Sequence, residues 1–361
     1  MPLKAAFFFA AVIAFTWIGY PALAYLFSKM LPRPVRKAAF RPRVSIVLPV
    51  YNEGPRVEGK IRNILAQEYP RELLEIIVVD DGSTDRSIES LPASLAGEVC
   101  LIALPWRCGK AAALNCGIRA ATGKIIVFMD ARQQVQPGSL SALLDNFNDR
   151  RVTAVTGALQ ACAKGGESLF RRYEEALRAW ESAWSSPAGA TGALYAVRRA
   201  SAPYLEEMTI LDDLVISMTA ASRGRLVYEP RAVAIEPQGQ GASRRRRLRT
   251  LAGNWQILLH PLRYRGIYSA QTVFQLCCHK FLRLTTPFCA GGLILSLSVA
   301  APAITAAGLA TLVMAPALAL ATPGCTGRGA RRLAWSLLVA PLRSLARYLS
   351  RSESVLWQRT Q

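Results

Sequence analysis

Short apolar runs separated by helical segments are the feature that most constrains the fold of this chain. Val44–Val50 and Lys124–Met129 are rich in β-branched and aromatic residues and lack polar alternation. Such runs predict strands that are buried on both faces of a sheet. Alanine-rich Lys110–Ala121 predicts a helix between strands, and Glu98–Leu104 predicts a further strand. The alternation therefore predicts an α/β fold with a doubly wound, largely parallel sheet.

Acidic residues follow three of the predicted strands. Glu53 comes shortly after the first strand, Asp80 and Asp81 end the run EIIVVDD, and Asp130 ends the run IIVFMD. In a doubly wound sheet the ligand binds outside the carboxyl ends of the strands. The pattern therefore predicts that these acids line one ligand site.

Composition narrows the possible partners of the chain. Its 361 residues are 52% hydrophobic, and 44 lysines and arginines against 24 acids give a formal charge of +20. Such an excess favours anionic partners, namely acidic lipids, phosphorylated substrates or nucleic acid. We do not expect nucleic acid, because the basic residues cluster beside apolar segments without interleaved aromatics. The eight cysteines form no CxxC pair, which favours a cytosolic thiol protein over a disulfide framework.

The segment Ala5–Ser28 has no charged residue and is long enough to cross a bilayer. A cleaved signal peptide is the alternative interpretation, because Ala22-Leu23-Ala24 resembles a cleavage site. We favour an uncleaved anchor, since the apolar run continues past that site. The flank that follows, up to residue 43, is basic and has no acid. The positive-inside rule therefore predicts that the following region is cytoplasmic.

A second uncharged stretch, Thr285–Gly327, is too long for one crossing and is interrupted by prolines. It predicts a hairpin of two membrane helices, which makes this a multi-pass protein of the cell membrane. Trp335–Tyr348 mixes apolar and basic residues and predicts a helix in the membrane interface, although a third short crossing stays open. The predicted organisation is a membrane anchor (1–28), a basic linker (29–42), an α/β domain (43–240), Arg-rich and interfacial helices (241–284), a membrane hairpin (285–323) and a basic interfacial segment (324–361).

Loops after the predicted strands hold candidates for binding an anionic ligand. Gly109 and Lys110 open a predicted helix, where free backbone N–H groups and an ammonium suit a phosphate. Asp85 is interpreted as a helix cap. Asp81 is interpreted as a ligand-binding acid, because a carboxylate beside a buried strand is costly without a partner.

Seven motifs occur in an order that resembles the family 2 inverting glycosyltransferases, particularly membrane-bound members similar to cellulose, hyaluronan and poly-N-acetylglucosamine synthases. The motifs are PVYNE, DDGSTD, GKAAALN, the strand-ending acid Asp130, GATGALYAVRR, LDDLVISM and RRLRTLAGNWQ. Each motif alone is modest, but the ordered set is specific. The resemblance implies a GT-A fold with a Rossmann-like mixed sheet, and a nucleotide-diphosphate sugar donor, usually a UDP-sugar.

The resemblance also implies roles for residues on the donor side. Asp81, together with Asp80, would bind the nucleotide base, and Lys110 would approach the diphosphate. Asp130 would be the first acid of the family's Asp-x-Asp site for Mg²⁺ or Mn²⁺. The predicted donor-binding residues are Pro49, Tyr51, Glu53, Asp80, Asp81, Lys110, Asp130 and Arg132.

Arg132 departs from the family pattern, which places Asp or Asn at this position. An arginine has no acceptor atom and cannot ligate a metal, but it can form a bidentate contact with a diphosphate. Three interpretations stay open: a metal held by Asp130 and the diphosphate, a metal-independent variant, or an impaired enzyme. We keep a metal in the prediction, because Mg²⁺ often uses one or two carboxylates together with phosphate oxygens.

Adjacent acids, Asp212 and Asp213, begin another predicted helix. Their structural interpretation is negative charge on the positive end of the helix dipole. The family's Glu/Asp-Asp motif implies instead that Asp213 is the general base for the acceptor hydroxyl, supported by Asp212. Gly192 lies in a segment that resembles the family's acceptor-side strand, where a glycine permits close backbone approach.

Five arginines lie within Arg244–Arg249. Arg249 is the retained residue of the family's Gln-x-x-Arg-Trp motif, and by resemblance it would neutralise the leaving diphosphate. Arg246 and Trp255 would contribute to the acceptor side, although Trp255 could equally be a core residue. Arg244 and Arg245 are interpreted as a solvated basic face or a patch on anionic lipid. The altered motif leaves processivity open.

The leading hypothesis is a membrane-bound inverting glycosyltransferase that uses a cytoplasmic UDP-sugar to extend a glycan or to glycosylate a lipid. The alternative is a degenerate, non-catalytic partner subunit that binds nucleotide or glycan, and Arg132 and the altered Gln-x-x-Arg-Trp motif motivate it. Retention of Asp81, Lys110, Asp130 and Asp213 argues against this alternative. The identities of the sugar, the acceptor and any partner subunit do not follow from the sequence.

Overall fold

The computed structural model of the chain describes residues 1–85, 88, 91–161, 169–237, 244–270, 272–300 and 334–350. In these residues, eight strands form one sheet. The strands are β1 Val44–Val50, β2 Leu74–Asp80, β3 Cys100–Ala103, β4 Ile125–Met129, β5 Gln134–Val135, β6 Val152–Ala161, β7 Leu194–Arg198 and β8 Arg225–Glu236. Their order across the sheet is β3-β2-β1-β4-β7-β6-β8-β5.

Helices precede, connect and follow the strands. They are α1 Pro2–Met30, α2 Gly54–Leu65, α3 Ala93–Ala96, α4 Lys110–Ala120, α5 Ser139–Leu144, α6 Leu169–Trp184, α7 Asp212–Ser222, α8 Arg244–Leu259, α9 Val273–Ala300 and α10 Ala340–Leu349. Both α1 and α9 are continuous through a π-helical turn. The predicted alternation of strands and helices is therefore present.

The first four strands in the sheet order are parallel, because β1 pairs with both β2 and β4 and β2 pairs with β3. All seven residues of β1 are buried, as its unbroken apolar run predicts. Helix α4 lies directly on this strand: a Cβ at Gly117 would be only 2.4 Å from Val47 Cγ1. This close contact fixes the position of α4, and therefore of Lys110 at its start.

The second half of the sheet makes it a mixed sheet. Strand β7 runs antiparallel to β4, with Met129 opposite Leu194, and it is also antiparallel to β6. An antiparallel neighbour begins where β4 ends, so Gly192 reaches the same edge as Asp130. The predicted α/β architecture with a mixed sheet is therefore present.

The predicted basic linker, residues 29–42, forms ion pairs with acids of the α/β region. Lys37 Nζ is 2.5 Å from Glu229 Oε2, and Arg41 Nη1 is 2.8 Å from Asp145 Oδ1. Glu229 is almost fully buried, so Lys37 neutralises a charge that would otherwise be costly. Part of the positive charge that follows α1 is therefore used within the protein.

The chain divides into two compact units. The sheet unit contains Ala24–Ser243 and Pro261–Gln275, and the helical unit contains Met1–Leu23, Arg244–His260 and Leu276–Glu353 as far as these ranges are described. By length and composition, α1 and α9 could each cross a membrane. Of the predicted hairpin 285–323, residues 301–323 lie outside the described residues. The predicted domain boundaries and membrane crossings stay predictions.

Candidate active site

Lys110 lies at the carboxyl edge of the sheet and bridges two acids from different elements. Its Nζ is 3.1 Å from Asp130 Oδ1, after β4, and 3.0 Å from Asp212 Oδ2, at the start of α7. The Lys110 and Asp212 side chains are 17% and 9% exposed, whereas that of Asp130 is 34% exposed. We call Lys110, Asp130, Asp212 and Asp213 the Lys110 cluster. Of the three residues whose exposure is given, Asp130 is the most accessible to solvent.

The Lys110 cluster contains a permanently charged ammonium among three carboxylates. Burial alone would lower the pKa of the Lys110 ammonium, but the three carboxylates of the cluster, Asp130 foremost, raise it above its usual range. The lysine therefore stays protonated at any physiological pH. An anionic group that approaches past Asp130 meets an ammonium that is already oriented and largely desolvated.

Asp213 lies beside the acceptor-side loop that the sequence indicated. A Cβ at Gly192 would be 3.3 Å from Asp213 Oδ2, so the glycine leaves room for this carboxylate. Side chains hold the loop from both sides: Ala190 N–H donates to Ser217 Oγ and Thr191 N–H donates to Thr156 Oγ1, both at 3.0 Å. The structure thus brings Gly192 and Asp213 together.

Asp81 is buried and has partners within the chain. Its carboxylate accepts hydrogen bonds from Cys108 N–H at 2.7 Å and from Gly109 N–H at 2.8 Å. Burial raises the pKa of Asp81, and these two hydrogen bonds act in the opposite direction. The sequence argument assumed that this acid lacks a partner, whereas the carboxylate fixes the turn that precedes Lys110. Base binding by Asp81 stays a prediction without that argument.

Neighbouring loops on the same edge hold the other predicted donor-binding residues. Asp80 accepts a hydrogen bond from Ser83 N–H at 3.1 Å, and Pro49 lies within β1. The Arg107 guanidinium lies 4.3 Å from the centre of the Tyr51 ring, a cation–π distance. Sequence reasoning missed Arg107, although its signal was a basic residue directly before the Gly109 turn.

Arg132 pairs with an acid of the preceding loop. Its Nε is 2.6 Å from Glu53 Oε1, and Arg56 Nη1 is 2.7 Å from Glu53 Oε2. The Glu53 side chain is only 3% exposed, so these cations neutralise a buried charge. Contact of Glu53 and Arg132 with a donor therefore stays a prediction, and in this structure they contact each other.

Asp85 caps helix α2, which precedes it in the chain, whereas the sequence indicated a cap on the helix that follows it. Its Oδ2 accepts a hydrogen bond from the backbone N–H of Gly54, the first residue of α2, at 3.2 Å. The loop after β2 is thereby tied to the loop after β1. The capping interpretation holds for the chemistry of the residue.

Lys60 is a second residue of this region that sequence reasoning missed. It is completely buried, and its Nζ donates to the Gln133 carbonyl at 2.7 Å, beneath the loop that carries Asp130 and Arg132. Burial lowers the pKa of Lys60 to about 7, against an opposing effect of Asp130. The signal was a lysine on the apolar face of α2, between Val57 and Ile64.

The residues of this edge fit a metal ion only in part. No group of three or more His, Cys, Asp or Glu suited to a metal occurs in the described ranges of the chain. Asp130 offers one accessible carboxylate, and Arg132 offers no ligand atom. Magnesium ions commonly bind through one or two carboxylates plus phosphate oxygens and waters. The arrangement therefore fits a metal that binds together with a diphosphate.

The remaining predicted site residues lie on α8, in the helical unit. Trp255 is 6% exposed, and its indole N–H donates to the Pro341 carbonyl at 3.1 Å. It also contacts Phe288 edge to face. These contacts favour its interpretation as a core residue. The roles of Arg246 and Arg249 stay predictions.

Comparison with known proteins identifies the sheet unit. Residues 45–199 match the family model of Glycosyl transferase family 2. The chain carries a family 2 glycosyltransferase domain. This range of family 2 sequence includes the strands β1 to β7 and the residues from Tyr51 to Gly192 discussed above. The prediction of a family 2 glycosyltransferase domain is confirmed.

Relatives of the chain include one named polysaccharide synthase. The chain is 27% identical over 231 residues to the poly-beta-1,6-N-acetyl-D-glucosamine synthase of Staphylococcus aureus, and the match covers 60% of this chain and 55% of the synthase. It is 32% identical over 130 residues to an uncharacterized glycosyltransferase of Haemophilus influenzae, covering 36% and 51% of the two chains. The chain thus spans about half the length of these curated relatives.

Similarity to a solved structure extends over nearly the whole chain. The mannosyltransferase PcManGT from Pyrobaculum calidifontis, solved in complex with GDP-Man and Mn²⁺, superposes with a TM-score of 0.76 and 27% identity. The superposition covers 98% of this chain and 100% of the mannosyltransferase. The likeness therefore includes the helical segments outside the family 2 domain.

Proposed function

We propose that this glycosyltransferase moves a sugar from a nucleotide-diphosphate donor to a glycan or lipid acceptor, with inversion at the anomeric carbon. The observation that carries the proposal is the convergence of Lys110, Asp130 and Asp212 at one edge of the sheet. Asp213, at the start of α7, adds a carboxylate beside the acceptor-side loop that carries Gly192. Inverting transfer needs a base on one side of the sugar and charge stabilisation on the other.

In the proposed reaction, Asp213 takes the proton of the acceptor hydroxyl. The hydroxyl oxygen attacks the anomeric carbon, and the bond from that carbon to the diphosphate oxygen breaks on the opposite face. Lys110 stabilises the negative charge that develops on the leaving diphosphate, and it needs no reorganisation because Asp130 and Asp212 already hold it. Arg249 is a further proposed diphosphate ligand on resemblance alone.

A divalent metal, Mg²⁺ or Mn²⁺, would bind at Asp130 together with the diphosphate of the donor. When bound, the metal would neutralise phosphate charge. The accessible carboxylate of Asp130 and the Mn²⁺ in the complex of the similar mannosyltransferase support this proposal. Chelation should weaken donor binding in calorimetry, and added Mn²⁺ should restore it. Unchanged affinity in excess chelator would favour the metal-independent interpretation of Arg132.

The nucleotide of the donor is proposed from two relatives that differ. The family resemblance and the synthase relative favour a UDP-sugar such as UDP-N-acetylglucosamine. The complex of the mannosyltransferase with GDP-Man makes GDP-mannose the second candidate, and its similarity covers far more of the chain. A donor screen must therefore include both nucleotides.

We further propose that the protein works at the cytoplasmic face of the cell membrane. Two apolar helices of sufficient length, α1 and α9, support membrane attachment. The basic flank after α1 supports cytoplasmic placement of the sheet unit under the positive-inside rule. Alkaline extraction and protease accessibility of the sheet unit in vesicles of known orientation would test both parts.

The deciding experiment measures release of nucleoside diphosphate by membranes that contain the full chain. Donors are UDP-N-acetylglucosamine, UDP-glucose and GDP-mannose, and the variants are Asp213→Asn and Glu98→Gln. Loss of the base should lower the rate about 10³-fold. Glu98 pairs with Arg71 on the exposed surface, and its change should have no effect. Equal rates from wild type and Asp213→Asn would remove the proposed base.

A further inference from the structure

Arg107 lies in a turn whose backbone is fixed by two contacts. The carboxylate of Asp81 accepts hydrogen bonds from the next two backbone N–H groups, those of Cys108 and Gly109. The second contact comes from Gly82, which has a φ of +68° and where an added Cβ would lie 2.9 Å from the Arg107 backbone nitrogen. The backbone at Arg107 is therefore held in one position before any ligand binds.

The side chain of Arg107 extends to the carboxyl end of β1. Arg107 follows β3 in the chain, but its guanidinium carbon is 4.3 Å from the centre of the ring of Tyr51, which directly follows β1. In the sheet, β2 lies between β3 and β1, and β4, which ends before Asp130, is the other neighbour of β1. The guanidinium therefore reaches the ligand edge of the sheet, beside the strand that leads to Asp130.

The guanidinium of Arg107 has hydrogen-bond donors that the protein does not use. The side chain is half-buried, and its Nε is shielded from solvent without a hydrogen-bond partner in the described part of the chain. No described carboxylate lies within ion-pair distance of it. Arg132 and Arg56 differ, because they contact Glu53 at 2.6 and 2.7 Å. A half-buried cation without an anion is costly, which favours a ligand that supplies the anion.

The charge of the Lys110 cluster makes a further cation necessary when a diphosphate binds. The cluster contains three carboxylates and one ammonium, so its formal charge is negative. A diphosphate is also negative, and the two repel each other unless other cations lie close to the phosphates. The metal proposed at Asp130 would be one such cation. Arg107 is a second, because it is always charged and its planar fork matches two phosphate oxygens.

We propose that Arg107 is a diphosphate-binding residue of the donor site, which contacts the phosphates rather than the base. The inference rests on the proposed function, because it requires a nucleotide-diphosphate donor. It assigns to Arg107 the diphosphate contact that the sequence suggested for Arg132, since Arg132 pairs with Glu53. The cation–π contact with Tyr51 holds the guanidinium in place without neutralising its charge.

The test measures the binding of UDP, GDP and pyrophosphate to the full chain in detergent, by calorimetry at one fixed Mn²⁺ concentration. Arg107→Met removes the charge, and Arg107→Lys keeps the charge but removes the planar fork. Arg71→Met is the matched control, because Arg71 forms an exposed ion pair with Glu98. Thermal unfolding of each variant is measured beside binding.

We expect Arg107→Met to weaken the binding of all three ligands by a similar factor, about tenfold, because each loses a charged donor to its phosphates. Arg107→Lys should weaken binding only about threefold, since an ammonium retains the charge without the second hydrogen bond. Arg71→Met should leave all three affinities unchanged within about twofold. Pyrophosphate decides between phosphate and base, because it has no base.

Wild-type affinity of Arg107→Met for pyrophosphate would overturn the proposal. A loss confined to UDP and GDP would assign Arg107 to the base instead, and unchanged affinity for all three ligands would leave it a packing residue on Tyr51. Failure of both Arg107→Met and Arg107→Lys to fold would likewise assign it a structural role and overturn the proposal. Failure of the proposed function is a separate result, since it would appear as a wild-type protein that binds neither nucleotide.

Discussion

Two strand ends of the same sheet, those at Asp81 and Asp130, carry acids in the same sequence setting and use them differently. Asp81 is fully buried and accepts hydrogen bonds from Cys108 N–H and Gly109 N–H at 2.7 and 2.8 Å. The Asp130 side chain is 34% exposed and lies 3.1 Å from the Lys110 ammonium. The first carboxylate holds a backbone turn, whereas the second faces open space with a cation behind it.

The comparison shows that an acid after a buried strand predicts where the carboxylate lies in the fold, but not what the carboxylate binds. Both acids stand at the ligand edge because parallel strands end there. Their contact partners determine what each acid can bind. Backbone N–H donors occupy both carboxylate oxygens of Asp81, whereas Lys110 contacts one oxygen of Asp130 and leaves further acceptor positions available. Lys110 connects the two regions, because it follows the turn that Asp81 fixes and contacts Asp130.

The largest effect should come from removing this connecting cation. Lys110→Met leaves the carboxylates of Asp130 and Asp212 close together without their counter-ion and removes the charge proposed to stabilise the leaving diphosphate. We expect donor turnover to fall about 10³-fold, measured as nucleoside diphosphate release. Lys124→Met, an exposed lysine before β4, is the control and should be neutral. Retention of a tenth of the activity in Lys110→Met would contradict the assigned role.

Asp81→Asn should act on stability first. The amide keeps one acceptor oxygen but places its N–H donors against the Gly109 N–H, which contacts both carboxylate oxygens of Asp81. We expect a loss of about 2–3 kcal/mol in the free energy of unfolding, measured by thermal unfolding in detergent. Asp85→Asn is the matched control, because asparagine caps a helix as well as aspartate does. If Asp81 served only the nucleotide base, its variant would lose donor affinity and keep full stability.

The sequence predicted the positions of residues at this edge of the sheet, but it did not predict their contact partners. The run Val44–Val50 is a strand over its full predicted length, because continuous apolar sequence is compatible with burial on both faces. The helix starts at Lys110 and Asp212 were likewise predicted. The ion pair of Glu53 and Arg132 was not predicted. The two residues are distant in sequence, and nothing in the local sequence specifies that the arginine pairs with that acid rather than with a diphosphate. Such pairs form only once the fold brings two loops together.

Lys60 should make stability depend on pH beneath the Asp130 loop. Burial lowers its pKa to about 7, from 10.5 as the ordinary value. Between these values the unfolded chain binds the extra proton, so wild-type stability should rise with pH from about 7 upward, by up to about 1 kcal/mol per unit. Thermal unfolding at several pH values checks this. Lys60→Met should abolish the rise and Lys124→Met should keep it; an equal slope in all three proteins would assign the effect elsewhere.

The smallest effect should come from the pair of Arg132 and Glu53, and it sharpens the comparison most. Arg132→Asn restores a residue that family members carry, yet it takes one cation from a buried carboxylate that Arg56 also contacts. We expect a loss of about 1 kcal/mol in stability, because Arg56 remains. Glu53→Gln alone should cost a similar amount, and the double variant should cost less than the sum of both.

That coupling distinguishes an internal ion pair from a donor-binding arginine. If Arg132 mainly serves a diphosphate, its loss should weaken donor binding in calorimetry equally with Glu53 intact and in the Glu53→Gln background, and the stability effects should add. If the pair is internal, Arg132→Asn should leave donor affinity nearly unchanged, and stability should show the coupling. In that case the Asp130 loop relies on Lys110 as its functional cation, and Arg132 belongs with Asp81 among the charges that hold loops in place.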